Sequence, residues 1–262
     1  MEEKQQEICA SVRVLEPQIH PTISIVIPAR NEAQNLRHVL PILPSVHEVI
    51  LVDGHSSDDT IAVAIELVPD IRILRQAGRG KGDALRIGFA ACTGDIIVML
   101  DADGSADPKE ISLFVAALLL GNDFAKGSRF AKGGGSHDIT FVRRLGNYGL
   151  SMLVNLLFTT EFSDLCYGYN AFWRRCLDHV EVDCDGFEVE TLLNLRIHRA
   201  NLKIAEVPSF EHPRIYGESN LRTFRDGWRV LKTIIRERRK RPHAHARPQF
   251  FHYTEPEEGL LR

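Results

Sequence analysis

The first strong hydrophobic pattern in the chain is "TISIVIPA", residues 22–29, an apolar run rich in β-branched side chains that ends at Pro28. Similar runs alternate with helix-like segments through the first half. "NEAQNLRHVL" has helical composition with Asn31 in a capping place, "EVILVDG" is a second strand, and "SSDDTIAVAIELV" starts with capping residues before a helical pattern. "IRILR" is a short third strand, "GKGDALRIGFAACTG" places glycines at both ends of a helix, and "DIIVML" is the fourth strand. Asp107, Pro108 and Glu110 then supply an N-cap, a first-position proline and a capping-box acid. Strands that are apolar on both faces and alternate with helices predict a mostly parallel sheet in an α/β layer fold.

The second half is less regular. "DFAKGSRF" reads as a strand and "AKGGGSHD" as a flexible loop, while "RRLGNYGLSMLVNLLF" is a helix with Leu145, Met152, Leu153, Leu156 and Leu157 near helical spacing. "CYGYNAFW" and "LKIAEVPSF" look like strands, with "EVETLLNLRIHRA" a helix between them. No repeat or linker divides the chain. Residues 22–241 are therefore expected as one domain between a flexible extension, 1–21, and a loosely ordered tail, 242–262, whose His243 and His245 have no ligand pattern nearby.

Composition narrows the class. With 262 residues, 44% hydrophobic, 26% charged and a net charge of −3, the chain reads as a globular protein with no global attraction to nucleic acid. From Arg222 to Arg247, however, basic residues outnumber acids, which suggests a solvated face, a membrane surface or an anionic ligand. Five cysteines without a CxxC pair fit unpaired thiols in a reducing compartment. The amino terminus has no apolar core segment and so reads as no signal peptide. "LFVAALLLG" and "LSMLVNLLF" fall short of the about 20 residues a bilayer needs. A cytoplasmic location is the expectation.

Chemistry concentrates in "GDIIVMLDADGSADP", residues 94–108. Alternation along a strand sends Asp101 and Asp103 to one side and Ala102 to the other. Ligands of open α/β sheets gather at the carboxyl ends of strands, where this triplet falls. Neighbouring carboxylates repel unless a cation joins them, and Mg²⁺ or Mn²⁺ takes one or two carboxylates together with phosphate oxygens. Aspartates are also common in turns and caps, which is the better account of Asp107.

In order and spacing, "VIPARNEAQNL", "EVILVDGHSSDDT", "GRGKGDALRIGFAACTGDIIVMLDAD" and "KGSRF" resemble the family 2 glycosyltransferases, whose nucleotide-diphospho-sugar fold is called GT-A. The likeness runs from about Thr22 to Arg238. "SDLCYGYNAFWR", "GFEVETLL" and "EVPSFEHPRIYGESN" are most similar to the branch containing dolichyl-phosphate mannosyltransferase and bacterial polyprenyl-phosphate sugar transferases. The resemblance implies a GT-A sheet, mixed but mostly parallel, flanked by helices. It implies that Pro28, Ala29, Arg30 and Glu32 line the nucleotide pocket, that Asp53 holds the base or ribose, and that Lys81 and Asp83 form the glycine-rich entry beside Gly80 and Gly82. Asp101, Ala102 and Asp103 become the metal and diphosphate segment, with Ser105 as a further ligand. Arg129, one of Arg143 and Arg144, and Arg214 become phosphate contacts. The family's GxSK ending here reads Gly217–Glu218–Ser219–Asn220, without the lysine. "GRGKG" lacks the GK[ST] ending of a phosphate loop and does not indicate an ATPase.

A sugar hydroxyl needs a carboxylate base to attack an anomeric carbon, whereas a polyprenyl phosphate is already ionised. By the same resemblance Asp164 lies near the acceptor and metal, and Glu188 is the second candidate base. Glu190 reads as a helix start and Cys166 as a small buried residue. The implied activity is inverting, metal-dependent transfer from a UDP- or GDP-linked sugar to a polyprenyl phosphate, with Mg²⁺ or Mn²⁺ as cofactor. A hydroxyl of a glycan, glycolipid or small molecule is the alternative acceptor. A sugar nucleotidyltransferase would carry a glycine-rich amino-terminal signature that "VIPARNEAQNL" lacks. Expected partners are donor and acceptor and no nucleic acid; the apolar face of helix 143–158 and the basic "WRVLKTIIRERRKR" suit either a peripheral membrane contact or a packed helix whose charged end is solvated, and a homo-oligomer is left open.

Overall fold

The computed structural model describes residues 20–240 and 250–252. Strands β1 (Ile23–Ala29), β2 (Glu48–Asp53), β3 (Arg72–Arg75) and β4 (Ile96–Met99) alternate with helices α1 (Ala33–Val39), α2 (Thr60–Leu67) and α3 (Lys81–Ala91). After β4 come α4 (Ile111–Leu119), β5 (Phe124–Ser128), β6 (Gly135–Ser136), α5 (Phe141–Phe158) and β7 (Asn170–Trp173). The chain continues through α6 (Val189–Arg199), β8 (Ile204–Pro208), β9 (Phe210–Glu211), α7 (Thr223–Arg239) and β10 (Phe250–His252).

Eight strands form one sheet in the order β10-β8-β5-β7-β4-β1-β2-β3, and β7 alone runs antiparallel to its neighbours. Successive residues feed opposite faces, as the pleat requires. Val26, Ile50 and Ile97 join one apolar cluster with α3, α5, α6 and α7, while Ile25, Leu51 and Val98 join another with α1, α2 and α4. The mostly parallel α/β sheet flanked by helices is thus the one the sequence predicts.

Several local expectations need correction. "CYGYNAFW" is a strand only over Asn170–Trp173. "LKIAEVPSF" splits into β8 and β9, because β9 leaves the main sheet to pair with β6 inside the glycine-rich loop. Asn31 does not cap α1. It sits at φ 58°, and its side chain accepts from Ser57 N at 2.8 Å. Asp107 does cap the short turn Pro108–Glu110, accepting from Lys109 N at 2.9 Å, but Glu110 turns away and accepts from Phe210 N at 3.0 Å. Residues 1–19 of the expected extension, and His243 and His245, lie outside the described residues. Of the expected tail only β10 is described.

Glu48 clamps the amino edge of the sheet. Its carboxylate accepts from Ser24 Oγ at 2.6 Å and from Thr93 N at 2.6 Å, and it also pairs with Arg72. Burial pushes the carboxyl up, but these donors outweigh it and bring it down to about 2 from an ordinary 4.5. A depressed carboxyl stabilises the fold fully above its unfolded value, and that contribution fades as pH falls through 4.5 toward 2. Replacing Glu48 with Gln should therefore flatten the acid limb of stability against pH, measured by urea unfolding between neutral and acidic buffers.

Candidate active site

All the parallel strands end at one edge, and the loops leaving β1, β2, β4, β5 and β8 surround a single cleft of about 1760 Å³. Pro28, Ala29, Arg30 and Glu32 line it from the end of β1, and Asp101, Ala102, Asp103 and Ser105 from the end of β4. Gly104, at φ 77°, lets the chain turn between them; a Cβ there would meet Ile215 Cδ1 at 2.5 Å.

Three cations hold this acidic rim together, each bridging two carboxylates. Lys81, at the start of α3, lies 2.6 Å from Asp101 Oδ1 and 2.8 Å from Glu190 Oε1. Burial alone would lower the lysine, but these carboxylates hold it well above its ordinary value, so it stays charged. Gly168 leaves room for the cluster, since a Cβ there would come within 2.6 Å of Lys81 Nζ. Arg214 grips Glu32 through bonds of 2.9 and 3.0 Å and reaches Asp103 Oδ2 at 3.3 Å. Arg129, at the end of β5, donates to both oxygens of Asp164 at 2.7 and 3.0 Å and to Glu211 at 3.0 Å. Its guanidinium also lies 4.8 Å from the Tyr167 ring centroid.

Arg214 is delivered by a strap, residues 211–216. His212 N donates to Ser105 O at 2.8 Å, Ile215 N to Asp103 O at 3.2 Å, and Tyr216 N to Asn35 Oδ1 at 2.8 Å. Backbone pairing to the Asp101–Ser105 loop and a side-chain clasp from α1 therefore fix the guanidinium over both acids.

Among the described residues, no group of three or more His, Cys, Asp or Glu side chains is arranged to hold a metal ion. Asp101 and Asp103 do suit a hard divalent cation that takes its remaining oxygens from a ligand and water. Their carboxylates are partly exposed to the cleft, and the three cations leave the acids around them in excess. Ser105 is turned inward, its Oγ donating to Asp103 Oδ1 at 2.7 Å, and so orients that carboxylate.

Residues 24–180 match the model of the family described as glycosyl transferase family 2. The chain belongs to that family. It is 31% identical over 210 residues to the dolichol-phosphate mannosyltransferase of Pyrococcus furiosus, covering 76% of this chain and 59% of that protein. It is 28% identical over 220 residues to the glycosyltransferase AglJ of Haloferax volcanii, covering 82% and 71%. Among solved structures, Mycobacterium tuberculosis glucosyl-3-phosphoglycerate synthase in complex with Mn²⁺, UDP-glucose and phosphoglyceric acid superposes with a TM-score of 0.67. That pair is 26% identical, over 83% of this chain and 80% of that one. The sheet is accordingly the GT-A fold of the family.

Membership sharpens the reading of the residues that do not meet at the cleft. Asp164 does not reach the wall. It is wholly buried, and although burial would raise its carboxyl, Arg129 and Lys126 hold it below the usual range. A buried carboxylate sealed behind an arginine is placed to orient that arginine. Glu188 also stays off the wall, at the foot of α6, where its Oε1 accepts from Gly186 N at 3.3 Å. Asp53 is buried behind Gly54 and accepts from Ser56 N at 3.2 Å. Asp83 is buried as well, accepting from Gly78 N at 2.9 Å and so folding the glycine-rich entry. Of the arginine pair, Arg143 lines the cleft and Arg144 does not; Arg144 lies over the Phe130 ring.

Glu190 and Glu211 are site residues that the sequence undervalues. Glu190 looks like a dipole-matched helix start, and Glu211 hides beside the more conspicuous Arg214 in "FEHPRIYG". In both cases the sign of function is a cation distant in sequence. If Asp164 anchors Arg129, Asp164→Asn should cost about 3 kcal/mol in urea unfolding, because it leaves a buried guanidinium with Glu211 as its remaining carboxylate. Glu188→Gln should cost less than about 1 kcal/mol in the same measurement.

Proposed function

We propose that the chain transfers a sugar from a nucleotide-diphospho-sugar to a polyprenyl phosphate. The observation that carries this reading is the Asp101 and Asp103 pair on a cleft whose other walls present Lys81, Arg129, Arg143 and Arg214. A divalent ion held by Asp101 and Asp103 would neutralise the leaving diphosphate. Lys81 and Arg214 already sit against those acids and stand ready to exchange part of their pairing for phosphate oxygens. Arg129, locked by Asp164 and Glu211, offers a guanidinium whose position costs no reorganisation during reaction.

The acceptor class is favoured by the cations on the wall and by where the two candidate bases lie. Neither carboxylate singled out as a base, Asp164 or Glu188, lines the cleft. The rim acids Glu32, Glu190 and Glu211 are each engaged by a cation, while Asp138 and Glu218 line the wall away from the Asp101 and Asp103 pair in sequence. An acceptor that arrives ionised needs no proton removed, and a phosphate meets a wall rich in arginine. Cys166 supplies no nucleophile, because burial pushes its thiol up to about 12. A single displacement, forming the new bond to the anomeric carbon as the bond to diphosphate breaks, inverts that centre. The second reading is a small phosphorylated acceptor bearing a hydroxyl, favoured by the likeness to the synthase bound to phosphoglyceric acid.

Purified protein with Mn²⁺ and UDP- or GDP-sugars should release nucleoside diphosphate faster with a short-chain polyprenyl phosphate than with phosphoglycerate or free sugars. The reverse order would reject the lipid phosphate in favour of the second reading. Asp103→Ala should lower that release by about 10²-fold or more, and EDTA should abolish it. Full turnover in EDTA would remove the metal from the scheme.

A further inference from the structure

Helices α5 and α7 carry apolar side chains on their outer faces as well as on their inner ones. On α5 the side turned to the protein carries Asn147, Ser151 and Val154, all buried, with Leu150, Leu153 and Leu157 packed against the core. Asn147 Oδ1 accepts from Leu165 N and Cys166 N at 3.2 and 3.1 Å. One turn on, Asn155 clasps Phe162 through its backbone O and N at 2.9 and 2.8 Å. These amide bonds fix the roll of the helix, and they leave Phe141, Leu145, Tyr148, Met152 and Leu156 as a stripe on the opposite side. Leu156 is 80% exposed and Leu145 and Met152 are each 60% exposed. A surface helix ordinarily keeps the face opposite its buried stripe polar.

The second helix buries Val230 and Ile234 together with two acids and also leaves apolar side chains outside. Glu237 is buried and bonded by Arg196 Nη2 at 2.9 Å from α6, with Arg199 Nη1 at 3.3 Å. Asp226, also buried, accepts from Arg222 N at 2.7 Å. With both acids of α7 drawn inward, Phe224, Trp228 and Ile235 face out at 87%, 57% and 41% exposure. The two helices pack against one another, and both begin at the wall of the cleft.

We propose that this paired apolar face, edged by cations and adjoining the cleft mouth, docks on an anionic membrane surface. Charge decides the occupant. Arg143 and Arg144 are the charged residues of α5, and the exposed charges of α7 are Arg225, Arg229, Lys232, Arg238 and Arg239, all of one sign. Apposing two copies would set cation against cation around the apolar centre, whereas anionic headgroups complement the cations while the aromatic and aliphatic stripe enters the boundary. No helix among the described residues is long and apolar enough to cross a membrane, so the contact is with the surface. The face accords with the proposed lipid acceptor but rests on the helices alone. Its test uses neither donor nor acceptor, so the two readings fail separately.

The full chain should float with vesicles of phosphatidylcholine containing about 30% phosphatidylglycerol, and about tenfold less with phosphatidylcholine alone or in high salt. The variants Met152→Ser/Leu156→Ser and Phe224→Ser/Trp228→Ser, all at exposed positions away from the cleft wall, should each lower flotation about tenfold while keeping the parental unfolding curve and donor turnover. A chain that stays at the bottom of the gradient overturns the proposal, whether a second copy or residues 241–262 cover the face. Variants that float as well as the parent overturn it too, as does a light-scattering dimer that the same substitutions dissolve.

Discussion

Carboxylates crowd the carboxyl edge of this sheet, and the fold around the cleft is organised by how their repulsion is relieved. Lys81 joins Asp101 to Glu190, Arg214 joins Asp103 to Glu32, and Arg129 joins Asp164 to Glu211. Each bridge ties elements far apart in sequence: α3 to the end of β4 and to α6, the strap to α1 and the Asp101–Ser105 loop, β5 to β9 and to the segment before β7. Partly buried ion pairs of this kind add little net stability over apolar packing, but losing one partner strands the other in a poor solvent. Their value lies in geometry. Three cations with two acids each make a polyanionic rim compact while keeping it short of positive charge.

That shortage links structure to chemistry. A rim neutralised completely by protein cations would have little use for a divalent ion, and one without cations would not hold its loops at a common edge. The observed arrangement falls between. Asp101 and Asp103 keep partial access to the cleft, and their partners are a lysine and a guanidinium that can trade carboxylate for phosphate oxygen. Arg129 differs, because Asp164 and Glu211 close around it and Tyr167 lies against its face. It is closed in by its partners, whereas Lys81 and Arg214 each pair with an acid that keeps access to the cleft.

The alternation of apolar runs and helices made the sheet legible, and the acidic strand end made half of the site legible, because both depend on neighbours in sequence. Asp101 and Asp103 follow from the period of a strand and the edge on which it ends. What stays illegible has a physical cause. Asp164, Asp53, Asp83 and Glu188 are motif carboxylates, and sequence cannot show that Arg129 seals the first, that backbone N–H groups of nearby turns take the next two, or that the fourth lies off the wall at the foot of α6. Glu190 reads as a helix start and Glu211 draws no notice for the converse reason, since their partners are over 80 residues away in the chain. The splitting of "LKIAEVPSF" between two sheets likewise depends on the β6 partner that a glycine-rich loop conceals.

The same logic shapes the two helices beside the cleft. In α5 and α7 part of the inward stripe is taken by groups with obligations to the site: Asn147 holds the backbone after Asp164, and Asp226 holds the turn that enters the cleft wall. Val154 on α5 and Val230 and Ile234 on α7 fill the rest of that stripe in the core. A helix has one inward stripe, and the roll these groups set turns Met152, Leu156, Phe224 and Trp228 outward. The cleft wall and the apolar face beside it therefore depend on one choice of helix roll.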